Sequence, residues 1–114
     1  GNKALSRKWP DLQNIKILSS PTGTPEIVWI LSELNKLGLK SVLVEGGSFI
    51  YASFLKTGSV DRLVLFIGPK IIGGQHALSW CGDLGVNQLD QAIQIEIISI
   101  SKVGEDWVID GKIK

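Results

Sequence analysis

The chain has 114 residues, 44% of them apolar, enough for one packed core and too little for a second independent domain, so it reads as a single domain or part of one. Its 12 lysines and arginines nearly cancel its 11 aspartates and glutamates, so no net field recruits nucleic acid or anionic lipid, and any anion must be held by local geometry. One cysteine, Cys81, and one histidine, His76, exclude an internal disulfide and a multi-ligand metal site and suit a reducing, cytoplasmic setting; no apolar run approaches the ~20 residues of a membrane helix.

Gly1, Asn2 and Lys3 carry neither an initiator methionine nor the apolar core of a signal peptide, and they read as a cut end of a longer chain. Ile15, Ile17 and Leu18 predict a short strand over 14–19, stopped by the turn residues Ser20, Pro21, Thr22 and Gly23. A helix should follow, with Thr24 as N-cap, Pro25 in the first helical position and Glu26 near the positive end of the dipole. Ile27, Ile30, Leu31, Leu34 and Leu37 repeat at three and four, and Gly38 ends the helix as a C′ residue.

Residues 41–44 form a compact apolar strand candidate leading into Glu45, Gly46, Gly47 and Ser48, after which 49–56 runs without a breaker to Gly58. The run 63–67 is apolar at every position, as in a strand covered on both faces, and Gly68 and Pro69 break it. Residues 70–92, rich in glycine and polar side chains, predict a loop with one short helical turn near Leu89. Ile93, Ile95 and Ile97 alternate before the phase slips to Ile98 and Ile100, the signature of a β-bulge. A turn at Gly104, Glu105 and Asp106 and the apolar positions Trp107, Ile109 and Ile113 complete an antiparallel hairpin. The order β-α-β-α-β plus hairpin implies an α/β fold with a mixed, mostly parallel sheet and flanking helices.

The segment 42–48 delivers a carboxylate and a bare backbone to the C-terminal end of a strand, where open α/β sheets bind ligands. Two glycines permit a sharp turn and close approach, and the free N–H groups of the next helix suit a phosphate. The same dipeptide also serves as a mere close-packing turn, and the longer G-x-G-x-x-G fingerprint is absent.

A second element, from Phe66 through Pro69 and Lys70 to Gly73 and Gly74, follows one strand later. Together, "SVLVEGGSFIYASFLKTGSVDRLVLFIGPKIIGG" over 41–74 resembles the C-terminal reductase domain of the bifunctional riboflavin-biosynthesis deaminase/reductases, the RibD family. The resemblance implies a dihydrofolate-reductase-like fold, NADPH as hydride donor, and reduction of 5-amino-6-(5-phosphoribosylamino)uracil to its ribityl product. By position it makes Glu45 a substrate-binding carboxylate and Gly47, Ser48, Phe49, Ile50, Tyr51, Ala52 and Ser53 the cofactor-binding turn and helix start. It also implies a homodimer, and a strained, cis Gly46–Gly47 peptide. A reductase domain of this family is roughly twice this length by the same resemblance, and the H-x-E and P-C-x-x-C signature of the deaminase half is missing. Two readings stay open: the cofactor-binding half of a pyrimidine reductase, or a non-catalytic nucleotide-binding or oligomerisation fragment.

Other polar residues have simpler explanations. Lys70 after a loop proline reads as a solvated charge, Asp61 as a turn residue or a partner of Arg62, and His76 has no triad partner in view. The four tryptophans read as core and interface anchors, since no basic stripe accompanies them.

Overall fold

Ser20 to Gly23 form a hydrogen-bonded turn in a computed structural model that describes residues 13–114, with Gly23 N–H donating to Ser20 C=O at 3.1 Å and Gly23 at φ 77°. The described chain belongs to two compact units, Gly1–Leu43 and Val44–Lys114. In the first, α1 spans Ile27–Lys36 with Glu26 as N-cap, two residues later than Thr24. The Thr22 hydroxyl donates to Thr24 C=O at 2.9 Å and holds Thr24 in the preceding turn, which is why it does not cap. The other end follows the sequence: Gly38 N–H bonds Asn35 C=O at 2.9 Å, Leu39 N–H bonds Leu34 C=O at 3.2 Å, and Gly38 sits at φ 81°. These paired bonds are a Schellman cap, and its left-handed residue is where glycine costs least.

In the second unit α2 (Ser48–Lys56) precedes three strands, β1 (Arg62–Ile67), β2 (Ile95–Val103) and β3 (Asp106–Ile113), with a 3₁₀ turn at Leu89–Gln91 inside the long loop. The sheet is antiparallel with order β1-β3-β2. Val103 pairs with Asp106, leaving Gly104 and Glu105 as a two-residue hairpin loop. Gly104 has φ 61° and Glu105 has no positive φ, the II′ pattern that matches strand twist. The expected bulge lies between Ile97 and Ser99.

The parallel part of the expected sheet is not among the described elements. Residues 14–19 and 41–44 form no ladder. A strand exists only by hydrogen bonding to a neighbour, and their apolar composition alone supplies none. Nor is β1 covered on both faces: Leu63 and Leu65 are half-buried, whereas Val64 and Phe66 are 47% and 60% exposed. Among the described apolar residues only Ala52 and Val108 are buried, and Trp80 and Trp107 stand about half exposed instead of forming a core. Trp9 lies outside the described residues.

Arg62 is tied to Asp110 on β3, two pairs along from its own register partner Lys112, and not to Asp61. Arg62 Nε donates to Asp110 Oδ1 at 2.8 Å and Nη2 to Oδ2, a two-pronged bond that holds the Asp110 carboxyl below its ordinary range. Gly111, buried in the central strand, is set by space: a Cβ there would lie 2.4 Å from Ile95 Cγ2. Gly111→Ala is expected to destabilise the protein by about 1–3 kcal/mol, the usual cost of overpacking, because the β-branched Ile95 has few rotamers to retreat into. A urea titration should show the midpoint falling with little change in slope.

Candidate functional site

The first turn of α2 gathers the residues singled out from the sequence. Gly47 is its N-cap at φ −89° and ψ 176°, ordinary extended backbone, and no side chain caps the helix. Ile50 and Tyr51 N–H both donate to Gly47 C=O, at 3.0 and 3.2 Å, and Gly46 N–H donates to the Tyr51 hydroxyl at 3.1 Å. The N–H groups of Gly47, Ser48 and Phe49 have no acceptor among the described residues. Three adjacent donors therefore stand at the positive end of a helix whose first turn contains no acidic side chain.

The two glycines do different work, and neither is strained. Both peptides are trans and neither residue has positive φ, so the expected cis, strained Gly-Gly is not present. Gly46 is a packing glycine: a Cβ there would meet Ile50 Cβ at 3.2 Å. Around a Cβ at Gly47, by contrast, nothing lies within 4 Å. Neither backbone conformation nor packing among the described residues asks for glycine at 47; a missing side chain beside three donors unpaired among those residues leaves room for a phosphate to reach the backbone.

Glu45 is exposed just before this turn, with no ion-pair partner among the described residues. Phe49 is 78% exposed, so its contribution to the turn is its backbone N–H. Further along α2 the side chains are already committed. Ala52 is buried, and the Ser53 hydroxyl donates to Phe49 C=O at 2.8 Å. The structure thus brings Gly47, Ser48 and Phe49 together as backbone donors with Glu45 beside them, and gives Tyr51, Ala52 and Ser53 supporting places.

Sequence reasoning missed a loop that reaches this turn. Gly82 N–H donates to Ser48 C=O at 3.0 Å, and a Cβ on Gly82 would lie 3.3 Å from both Ala52 Cβ and Ser48 O. No local signal announces a contact between residues so far apart in sequence. The same loop walls an apolar cleft of about 260 Å³, in which Trp80, Cys81 and Leu84 face Leu55, Leu63 and Ile113. Lys70 and His76 are exposed, Cys81 is half-buried and unpaired, and no metal-binding cluster occurs among the described residues.

Comparison with known proteins matches residues 4–109 to the RibD C-terminal domain. Among relatives, the riboflavin biosynthesis protein RibD of Actinobacillus pleuropneumoniae is 37% identical over 71% of this chain and 22% of its own length. RibD of Aquifex aeolicus is 39% identical over 70% of this chain and 22% of its own length. The 2,5-diamino-6-ribosylamino-4(3H)-pyrimidinone 5′-phosphate reductase of Methanothermobacter thermautotrophicus is 27% identical over 87% of this chain and 46% of its own length. The chain thus spans less than half the length of each. A pyrimidine reductase-like protein from Corynebacterium diphtheriae superposes with TM-score 0.71 at 22% identity, over 89% of this chain and 40% of its own; RibD of Acinetobacter baumannii gives 0.70 at 16% identity, over 80% and 25%. The likeness therefore extends well beyond the run 41–74, and the chain belongs to the RibD C-terminal domain family.

Proposed function

We propose that this chain is the cofactor-binding part of a riboflavin-pathway pyrimidine reductase, an oxidoreductase that uses NADPH to reduce 5-amino-6-(5-phosphoribosylamino)uracil to its ribitylamino product. The observation that carries the reading is the first turn of α2, with three backbone donors unpaired among the described residues, around a glycine that no described contact requires. The uracil follows from the resemblance of 41–74 to the RibD reductase domain, whereas the 27% relative is named for the diaminopyrimidinone. The donor set fits the group: the N–H groups of Gly47, Ser48 and Phe49 would hold phosphate oxygens, and the exposed Glu45 carboxylate would accept hydrogen bonds from ribose hydroxyls or pyrimidine N–H groups. NADPH, when bound, supplies the hydride, and the protein's own part is to align the reactants and exclude water.

In the complete reductase domain, 1–114 forms one part, and the domain as a whole carries the mixed, mostly parallel sheet. The natural setting is cytoplasmic. The reading is tested on the chain extended toward its N-terminus to the length of its relatives, hereafter the extended protein. NADPH titration by fluorescence should give saturable binding, weakened about tenfold or more by Gly47→Val, which sets a side chain where phosphate must approach. Equal affinity of the two proteins would refute the reading.

The exposed Ile67, Ile97, Ile100 and Trp107 side chains, which the strand register puts on one face of the sheet, support association into a homodimer, since a patch of this kind is rarely left wet in a monomer. Light scattering of the extended protein at micromolar concentration should report twice the chain mass; a single-chain mass at all concentrations would count against the dimer.

A further inference from the structure

We propose that Gly82 is a positioning residue for the phosphate-binding turn: loop 79–85 straps across the first turn of α2 and fixes the peptide plane between Ser48 and Phe49. The inference rests on the cofactor reading above. The loop is braced by its own side chains. The Ser79 hydroxyl donates to Cys81 C=O at 2.7 Å and accepts from Cys81 N–H at 3.3 Å, and Gly85 N–H donates to Asp83 Oδ1 at 2.7 Å. From this braced segment Gly82 sends its N–H to Ser48 C=O at 3.0 Å.

Ser48 C=O and Phe49 N–H are the two ends of one planar amide, so a donor fixed on the oxygen also fixes the direction of the N–H. The bond polarises that amide as well, strengthening a donor that has no acceptor among the described residues. Glycine is required at 82 by space. A methyl group would press on both Ala52 Cβ and Ser48 O at 3.3 Å, and Ala52 is one of the two buried apolar residues among those described and has nowhere to go. A side chain at 82 therefore lifts the strap off the helix and leaves the Ser48–Phe49 peptide held by the helix alone, looser in its tilt, without occupying the cofactor's own space.

The test compares Gly82→Ala, Gly85→Ala and Gly47→Val in the extended protein, reading NADPH dissociation constant, pyrimidine KM and melting temperature. Gly85 has φ 72°, and a methyl group there would find no neighbour within 4 Å, so its alanine variant strains the same loop without touching α2. Gly82→Ala should raise the NADPH dissociation constant about five- to tenfold, the scale of one weakened charge-assisted hydrogen bond, with pyrimidine KM within about twofold. Gly85→Ala should lower the melting temperature and leave NADPH affinity near wild type. Partial recovery of affinity in Gly82→Ala/Ala52→Gly, which removes one of the two clashes, would further support the strap. Equal losses of NADPH affinity in the two loop variants would reduce Gly82 to a general stability role and overturn the proposal. If Gly47→Val weakens binding and Gly82→Ala does not, the strap is refuted while the cofactor reading stands; if neither does, both fall.

Discussion

The 114-residue chain alone, given NADPH and the phosphoribosylamino-pyrimidine, is expected to turn over at least about 10⁵-fold more slowly than the extended protein. Hydride transfer needs donor and acceptor carbons aligned at roughly 3–3.5 Å, and such alignment is worth about 7–11 kcal/mol of barrier. Alignment requires walls on several sides. This chain offers the turn at Gly47 and the carboxylate of Glu45, but its apolar surfaces are largely open: Ile71, Ile72 and Leu78 are 101%, 92% and 100% exposed. A reactant held on one side in contact with water keeps most of its freedom, and little of the alignment term is realised. Absorbance at the reduced-nicotinamide band follows the reaction directly. Comparable rates for the two proteins would mean that the missing walls contribute nothing and that the site is complete within these residues.

What the sequence made legible was set by local chemistry. Gly38 and Gly104 occupy left-handed positions that only a few residues adopt without cost, so their punctuation could be read directly. The slip from Ile97 to Ile98 revealed the bulge, because a period of two leaves no other way to keep a face. The start of α1 was misread since Thr24 competes for two roles, and the Thr22 hydroxyl decides between them. Parallel strands were inferred from apolar runs at 14–19 and 41–44, yet a run states only that a segment can be covered and not what it pairs with. The site was half legible. Pattern located Glu45, Gly47 and Ser48 at the start of α2, but the assignment of strain to Gly46–Gly47 failed because close contact with Ile50, not backbone geometry, selects the first glycine. Gly82 was silent, since its significance lies in a bond to Ser48 across the intervening strand and loop.

In the extended protein, Glu45→Gln is expected to lower kcat/KM for the pyrimidine about ten- to hundredfold while leaving the NADPH dissociation constant within about twofold. The substitution preserves shape and one acceptor oxygen but replaces a charged acceptor by a neutral amide, and hydrogen bonds to charged groups carry about 1.5–3 kcal/mol. The turn at Gly47 should not notice. Its donors are backbone N–H groups of Gly47, Ser48 and Phe49, and Glu45 takes part in no ion pair among the described residues whose loss could disturb them. Removing a negative charge beside phosphate-binding donors acts in the opposite direction, slightly favouring the anion, so any change in NADPH affinity should be a small gain. Steady-state kinetics with each reactant varied in turn, alongside direct NADPH titration, separates the two effects. Loss of NADPH affinity with an unchanged pyrimidine KM would assign Glu45 to the cofactor and reverse the division of labour proposed for this turn.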